Sequence, residues 1–140
     1  MVILGVDYGK ARTGVAVCDS AEVLAVPVCV ISQWNQELVA DKLAQIAAEK
    51  KAEMVVVGLP KNMDGTEGES AQNARNLAEM IKQRTELPIC MQDERGTTVT
   101  AHGYMNSNNV RGKKRKAVID AAAAVIILQD FLEYRRLHKA

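Results

Sequence analysis

Four carboxylates stand where the pattern of the chain breaks. Asp7 ends the apolar run "VILGV", Asp93 and Glu94 follow "PICMQ", and Asp120 interrupts "AVIDAAAAVII". An acid inside a run fit for burial is costly to desolvate unless it is paired or holds a cation. Oxygen ligands without His or Cys beside them suit Mg²⁺ or Mn²⁺. Such ions can activate a water and stabilise the leaving oxygen of a phosphodiester. Asp7, Glu94 and Asp120 are therefore the candidate catalytic and metal-binding residues. No Ser-His-Asp set is visible, and His102 and His138 are too far apart to suggest zinc with the cysteines.

Each acid also has an ordinary role open to it. Asp7 precedes a Gly-containing turn and could close an Asx turn. Glu94 adjoins Arg95, a plain ion pair. Asp120 follows Lys116 by four residues, the spacing of a helical pair. Their joint placement at one predicted sheet edge is the stronger signal.

Cations crowd the same places. Lys10 and Arg12 follow Asp7, and Arg95 follows Glu94. Arg111, Lys113, Lys114, Arg115 and Lys116 precede Asp120. These residues form a candidate phosphate-binding surface; a solvated charge run is the commoner fate of such a stretch. Trp34, Tyr8 and Tyr104 could stack on bases, although packing or surface roles are the commoner fate of each; Tyr8 is singled out only because it adjoins Asp7.

The elements that must position these residues can be read from periodicity. Val2 to Val6 is apolar on both faces, as a central strand requires. Thr13 to Cys18 returns through a turn shaped by Gly9 and Gly14, which implies an antiparallel hairpin. Val26 to Ile31 is a third strand. Asn35 caps a helix carrying Val39, Leu43, Ile46 and Ala47 at helical spacing. Met54 to Val57 is a strand that Gly58 and Pro60 end. Thr66 and Glu69 have capping-box spacing before a helix with Ala74, Leu77, Ala78 and Ile81 on one face. Pro88 to Met91 is a fifth strand, and Thr97 to Met105 reads as a short helix. "NSNNVRGKKRK" reads as a basic loop, and Lys116 to Arg136 as a long helix.

The order β-β-β-α-β-α-β-α predicts a meander followed by parallel strands reached through helices. The fold class is α/β, a mixed five-stranded sheet flanked by helices. Ligands then gather beyond the carboxyl ends of the parallel strands, where Asp7, Asp93 and Glu94 fall.

The 140 residues suit one domain over 1–140. Hydrophobic residues make up 48% and aromatics 4%, so the core must be aliphatic. The net charge of +1 excludes a polycation, and any nucleic-acid surface must be local. Three scattered cysteines, no signal peptide and no apolar run of spanning length imply a cytoplasmic protein away from membranes.

"VDYGKARTGVAV", "VVGLPKNMDGTEG", "DERGTT" and "KAVIDAAAAVIIL" closely resemble the YqgF family, also called RuvX. The blocks occur in family order and span nearly the whole chain. The resemblance implies a ribonuclease H-like fold related to the RuvC resolvases. It implies a nuclease of structured nucleic acid: 5′-end processing of pre-16S rRNA in ribosome biogenesis, or resolution of Holliday junctions. It aligns Asp7, Glu94 and Asp120 with the family's acids, and sets Lys10, Arg12, Asn62, Arg95 and Lys116 around the site. Precursor rRNA or branched DNA is the expected partner, and a monomer or weak dimer the expected assembly.

Two departures stand out. RuvC relatives carry an acid on the strand after the first helix, where this chain reads "MVVVGLP", so Glu94 must substitute from the next strand. Gly96 stands where the family often has Leu. A non-cleaving nucleic-acid-binding module is the rival reading. A sugar-kinase-like phosphotransferase shares the Asp-x-Gly turn but needs a second lobe that 140 residues cannot supply, and no Walker A motif is present.

Overall fold

The computed structural model describes residues 1–61, 64–93 and 112–138, with the backbone alone for 112–120. Strands β1 (Ile3–Asp7), β2 (Arg12–Cys18), β3 (Ala25–Ser32), β4 (Met54–Leu59) and β5 (Ile89–Asp93) alternate with helices α1 (Gln36–Glu49), α2 (Glu69–Arg84) and α3 (Gly112–Leu137). The sheet order is β3-β2-β1-β4-β5. The β1–β2 and β2–β3 pairs are antiparallel, and the β1–β4 and β4–β5 pairs are parallel. The predicted meander and crossovers are thus present, with β1 at the centre.

That central place explains the composition of β1. Leu4 and Val6 face one side, against Val39, Leu43 and Ile46 of α1 and Ala74, Leu77 and Ile81 of α2. Ile3 faces the other side, against Ile127, Leu128 and Phe131 of α3. Alternation puts Gly5 and Asp7 on the α3 side as well. A Cβ on Gly5 would stand 2.8 Å from Leu128 Cβ and 3.3 Å from the Ala124 carbonyl oxygen. The alanine-rich face of α3 therefore lies directly on the sheet, and glycine at position 5 is what lets it approach.

The edge strand β3 tolerates Pro27, which lacks a ladder N–H. Its register slips there: Ala16 pairs with Pro27 but Val15 with Cys29, leaving an extra residue on β3. Asn35 caps α1 as expected, its Oδ1 accepting from the Glu37 and Leu38 amides. On the same face, Arg84 at the end of α2 donates to Asp41 at 2.6 Å and also binds Glu37, tying α2 to α1.

Three expectations need correction. The capping box is absent: Gly68 is the N-cap of α2 and provides no side-chain bond. Thr66 instead turns back to Asp64, its hydroxyl donating to Oδ1 at 2.7 Å and its amide at 2.9 Å, because the nearer carboxylate closes a local turn. Second, β4 continues through Gly58 to Leu59, since β5 supplies ladder partners for both residues. Third, the last helix begins at Gly112 rather than at Lys116, so residues 112–115 are helical and not loop. Four cations oppose the helix dipole in its first turns, which is why local pattern reads as a loop. The expected helix from Thr97 to Met105 lies outside the described residues.

Candidate active site

Asp7 is the last residue of β1, half-buried, at the carboxyl edge shared by β1, β4 and β5. Its cross-strand neighbour is Gly14. Gly14 is thus a strand residue, as the expected strand over Thr13 to Cys18 requires, rather than a shaper of the turn, and it offers no side chain next to Asp7. Antiparallel pairing of β1 and β2 brings these two positions together. Gly9 does shape the turn: a Cβ there would stand 2.5 Å from the Arg12 carbonyl oxygen. The backbone can close this tightly only with glycine at that position.

The turn projects Lys10 and leads into Arg12. Lys10 Nζ lies 3.2 Å from Glu69 Oε1 at the start of α2, an exposed pair. Arg12 opens β2 opposite Ser32 of β3. The segment before α2 borders the same edge. Lys61 and Glu67 form an isolated antiparallel bridge, and Glu67 receives two bonds from Arg75, at 2.7 and 2.8 Å. Those bonds hold the Glu67 carboxyl below its usual range. The start of α2 is thereby fastened beside the Lys10 turn.

On the far side of β4, Asp93 ends β5 opposite Leu59. Ile89 and Met91 pack on the α1/α2 side and Cys90 on the α3 side. Alternation then gives Asp93 the α1/α2 side, the face opposite to Asp7. β4 carries no acid, as its sequence requires.

Helix α3 runs antiparallel to β1. Its C-terminal half meets the start of the sheet, where Arg135 binds Glu22 and Gln129 accepts from the Ala25 amide. Its backbone passes Gly5 at Ala124. Asp120 is one turn earlier in the helix, on the way to the edge that holds Asp7. Of the other candidates, Lys113, Lys114, Arg115 and Lys116 lie on the first turns of α3. The side chains of these residues and of Asp120, and all of Asn62, Glu94, Arg95 and Arg111, lie outside the described residues.

The donor chemistry fits a hard divalent ion better than zinc. Asp7 offers oxygen. Cys18 ends β2 at the opposite edge, Cys29 and Cys90 lie within strands, and His138 stacks on Tyr134 just past α3. Burial pushes the Cys18 and Cys29 thiols up, which makes them poor metal ligands. Among the described residues, no three His, Cys, Asp or Glu side chains form a metal cluster.

Two relations at this edge escape sequence reasoning, although it singles out both residues. Gly14 stands directly across from Asp7, and Trp34 stands two residues past the end of β3 with 73% of its surface exposed. Counting residues through the first hairpin places Gly14, and counting through the second places Trp34 only once the extra residue beside Pro27 is known. Tyr8, the favoured aromatic, is half-buried and packs against the aliphatic core.

A family model described as "RuvX: Holliday junction resolvase" matches residues 1–134. A Streptomyces coelicolor protein named "Putative pre-16S rRNA nuclease" is 43% identical over 135 residues, covering 96% of this chain and 81% of its own. A Leuconostoc mesenteroides protein of the same name is 43% identical over 136 residues, covering 95% of each. Among solved structures, Thermus thermophilus RuvC in complex with a Holliday junction superposes with a TM-score of 0.61 at 15% identity, covering 100% of this chain and 98% of that one. That likeness shows the ribonuclease H-like fold.

Proposed function

Because this chain belongs to the RuvX family, we propose that it is a divalent-metal-dependent endonuclease that hydrolyses phosphodiester bonds in structured nucleic acid. Its proposed task is 5′-end maturation of pre-16S rRNA in the cytoplasm. The observation that carries the reading is Asp7, fixed at the end of the central strand with Gly14 across from it, in a chain 43% identical to nuclease-named relatives over nearly full length. The junction-resolving alternative draws on the family description and on a fold likeness at 15% identity.

Asp7, Glu94 and Asp120 are the proposed ligands. The antiparallel course of α3, one turn from Ala124 to Asp120, supports Asp120. The face taken by Asp93, opposite to that of Asp7, argues against Asp93 as a ligand beside Asp7 and leaves Glu94 as the proposed acid of the "DER" block. Mg²⁺ or Mn²⁺ held there would make a bound water acidic and offset charge on the phosphate. Hydrolysis adds the water oxygen to phosphorus and releases the 3′ oxygen, leaving a 5′-phosphate and a 3′-hydroxyl. Lys10, Arg12, Asn62, Arg95, Arg111, Lys113, Lys114, Arg115 and Lys116 are the proposed phosphate contacts, which position substrate without reading its sequence.

The deciding experiment is cleavage of a pre-16S leader RNA with and without divalent metal, by the native chain and by Asp7→Asn. Metal-dependent product from the native chain alone is expected. Equal cleavage by both removes the assignment. Salt-sensitive binding without product reassigns the chain to a non-cleaving module. Faster cleavage of a four-way DNA junction than of the leader moves it to the resolvase reading.

A further inference from the structure

Trp34 is the single tryptophan of the chain, and it is the one large aromatic left open at the edge that carries Asp7 among the described residues. Its exposure is 73%, and Leu38, one turn on in α1, is 50% exposed. A lone exposed aromatic is unremarkable on any surface. The backbone beneath this one is what sets it apart. Gln33 donates its amide to the Ala11 carbonyl at 3.1 Å, tying the segment to the Lys10–Arg12 turn. Gln33 Oε1 accepts from the amides of Trp34 and Asn35, at 3.0 and 3.1 Å. Asn35 in turn caps α1 through the Glu37 amide at 2.9 Å. The indole therefore extends from a fixed backbone, with an adjacent turn that bears two cations.

The geometry points to Trp34 as a stacking platform for an unpaired base of the bound strand, next to the phosphates held by Lys10 and Arg12. This deepens the nuclease reading and rests on it. β3 lies two strand spacings from β1, roughly 10 Å across the sheet, and Trp34 is four residues past Val30, the β3 residue level with Gly14 and Asp7, up to roughly 13 Å further along. A stacked strand covers the combined distance of roughly 16 Å in about five nucleotides at ~3.4 Å each. The stacked base is thus a few nucleotides from the phosphate at Asp7. Every base offers a flat face, so the contact is tolerant of sequence. A fully paired duplex hides those faces, so the contact selects substrates with an unpaired segment beside the cleavage point.

The single tryptophan reports on this contact directly. The full-length chain, in EDTA so that no cleavage intervenes, is titrated with an unstructured oligouridylate and with a blunt duplex of equal length. Binding is followed by anisotropy of labelled strand and, separately, by tryptophan emission. Quenching that saturates together with oligouridylate binding is expected, with no quenching by the duplex. Trp34→Ala should weaken oligouridylate binding about 5- to 100-fold, the loss of one base–aromatic stack. It should leave duplex binding and the melting temperature unchanged, and Trp34→Phe should retain most of the affinity. Oligouridylate binding with unmoved emission and an indifferent Trp34→Ala overturns the stacking proposal while the nuclease reading stands. Equal quenching by the duplex overturns its selectivity for unpaired bases. Absence of binding to either nucleic acid overturns the nuclease reading itself.

Discussion

At the start of β1, the Met1 amino group donates to Glu22 at 3.0 Å and to the Ser20 carbonyl at 2.9 Å, and Arg135 of α3 grips the same carboxylate at 2.7 and 3.3 Å. At the other end of the strand, the Lys10–Glu69 pair stands in solvent, with side-chain exposures of 63% and 76%. Glu22 and Arg135 are only 12% and 24% exposed. Both ends pair a glutamate with cations, and the consequences differ. Partial burial and bidentate geometry make the first end a clamp that joins the β2–β3 turn, the N-terminus and α3. Glu22 itself lies in a left-handed backbone with φ of 58°, in a turn closed by its amide on the Asp19 carbonyl. High dielectric and screening leave the second pair worth little to stability, so its cation is available to a phosphate at small cost. One end of the sheet uses charge to hold the fold, and the other leaves its charge in solvent, where the proposed phosphate contact would need it.

Asp7→Asn makes the hardest test of that contrast. Metal-dependent cleavage should drop about 1,000-fold or more, while the melting temperature moves by no more than a few degrees. Glu22→Gln should do the reverse, with cleavage held within about twofold at a temperature where the variant is folded. A cleavage defect in Glu22→Gln as large as that of Asp7→Asn would erase the distinction between the ends.

Gly5→Val acts between the two ends. Its side chain would press on Leu128 and the Ala124 carbonyl, so α3 must lift, at a cost of about 3 kcal/mol. Since α3 also carries Asp120, cleavage should fall in the same variant even well below its melting point. Denaturant titration together with the cleavage assay measures both.

Glu22→Gln should cost about 1–2 kcal/mol at neutral pH, after allowance for solvent screening. The Arg135 hydrogen bond draws the Glu22 carboxyl from 4.5 down to about 2. A depressed carboxyl stabilises the fold above its unfolded value and ceases to do so as it protonates in the native state. This contribution is therefore complete above about pH 4.5 and lost as pH falls toward 2. Thermal melts across that window should show a shallower decline for the Gln variant than for the native chain. Parallel curves would mean that the clamp does not depend on this charge.

Lys10→Ala is the mildest change. Stability should shift by less than about 0.5 kcal/mol. The slope of log binding constant against log salt should fall by about one, the signature of one lost phosphate contact. An unchanged slope would move Lys10 from the ligand surface to a purely structural pair with Glu69.

Much of this was legible in the residues. Runs such as Val55–Val57, apolar on both faces, can only be interior strands, and the hairpin and crossover spacings dictate which pairs are antiparallel and which parallel. Asp7 at the tip of β1 follows from the same pattern. The short-range competitions were not legible. Asp64 takes Thr66 away from the α2 cap, and α3 begins at Gly112 although its first turns carry cations against the dipole. Propensity is local and weak, and contacts made elsewhere along a long helix override it.

By itself the amino-acid sequence determined the strand and helix types, their order, the aliphatic core and the acid at the end of the central strand, because these depend on periodicity and on the few connections short segments allow. The tertiary structure alone decided which faces the residues share. It set Gly14 across from Asp7, sent Asp93 to the opposite side, laid α3 against Gly5 so that its course runs toward the Asp7 edge, and left Trp34 open beside the Lys10–Arg12 turn. Those relations join residues far apart in the chain, and they exist only once the sheet has closed around β1 and the helices have covered it.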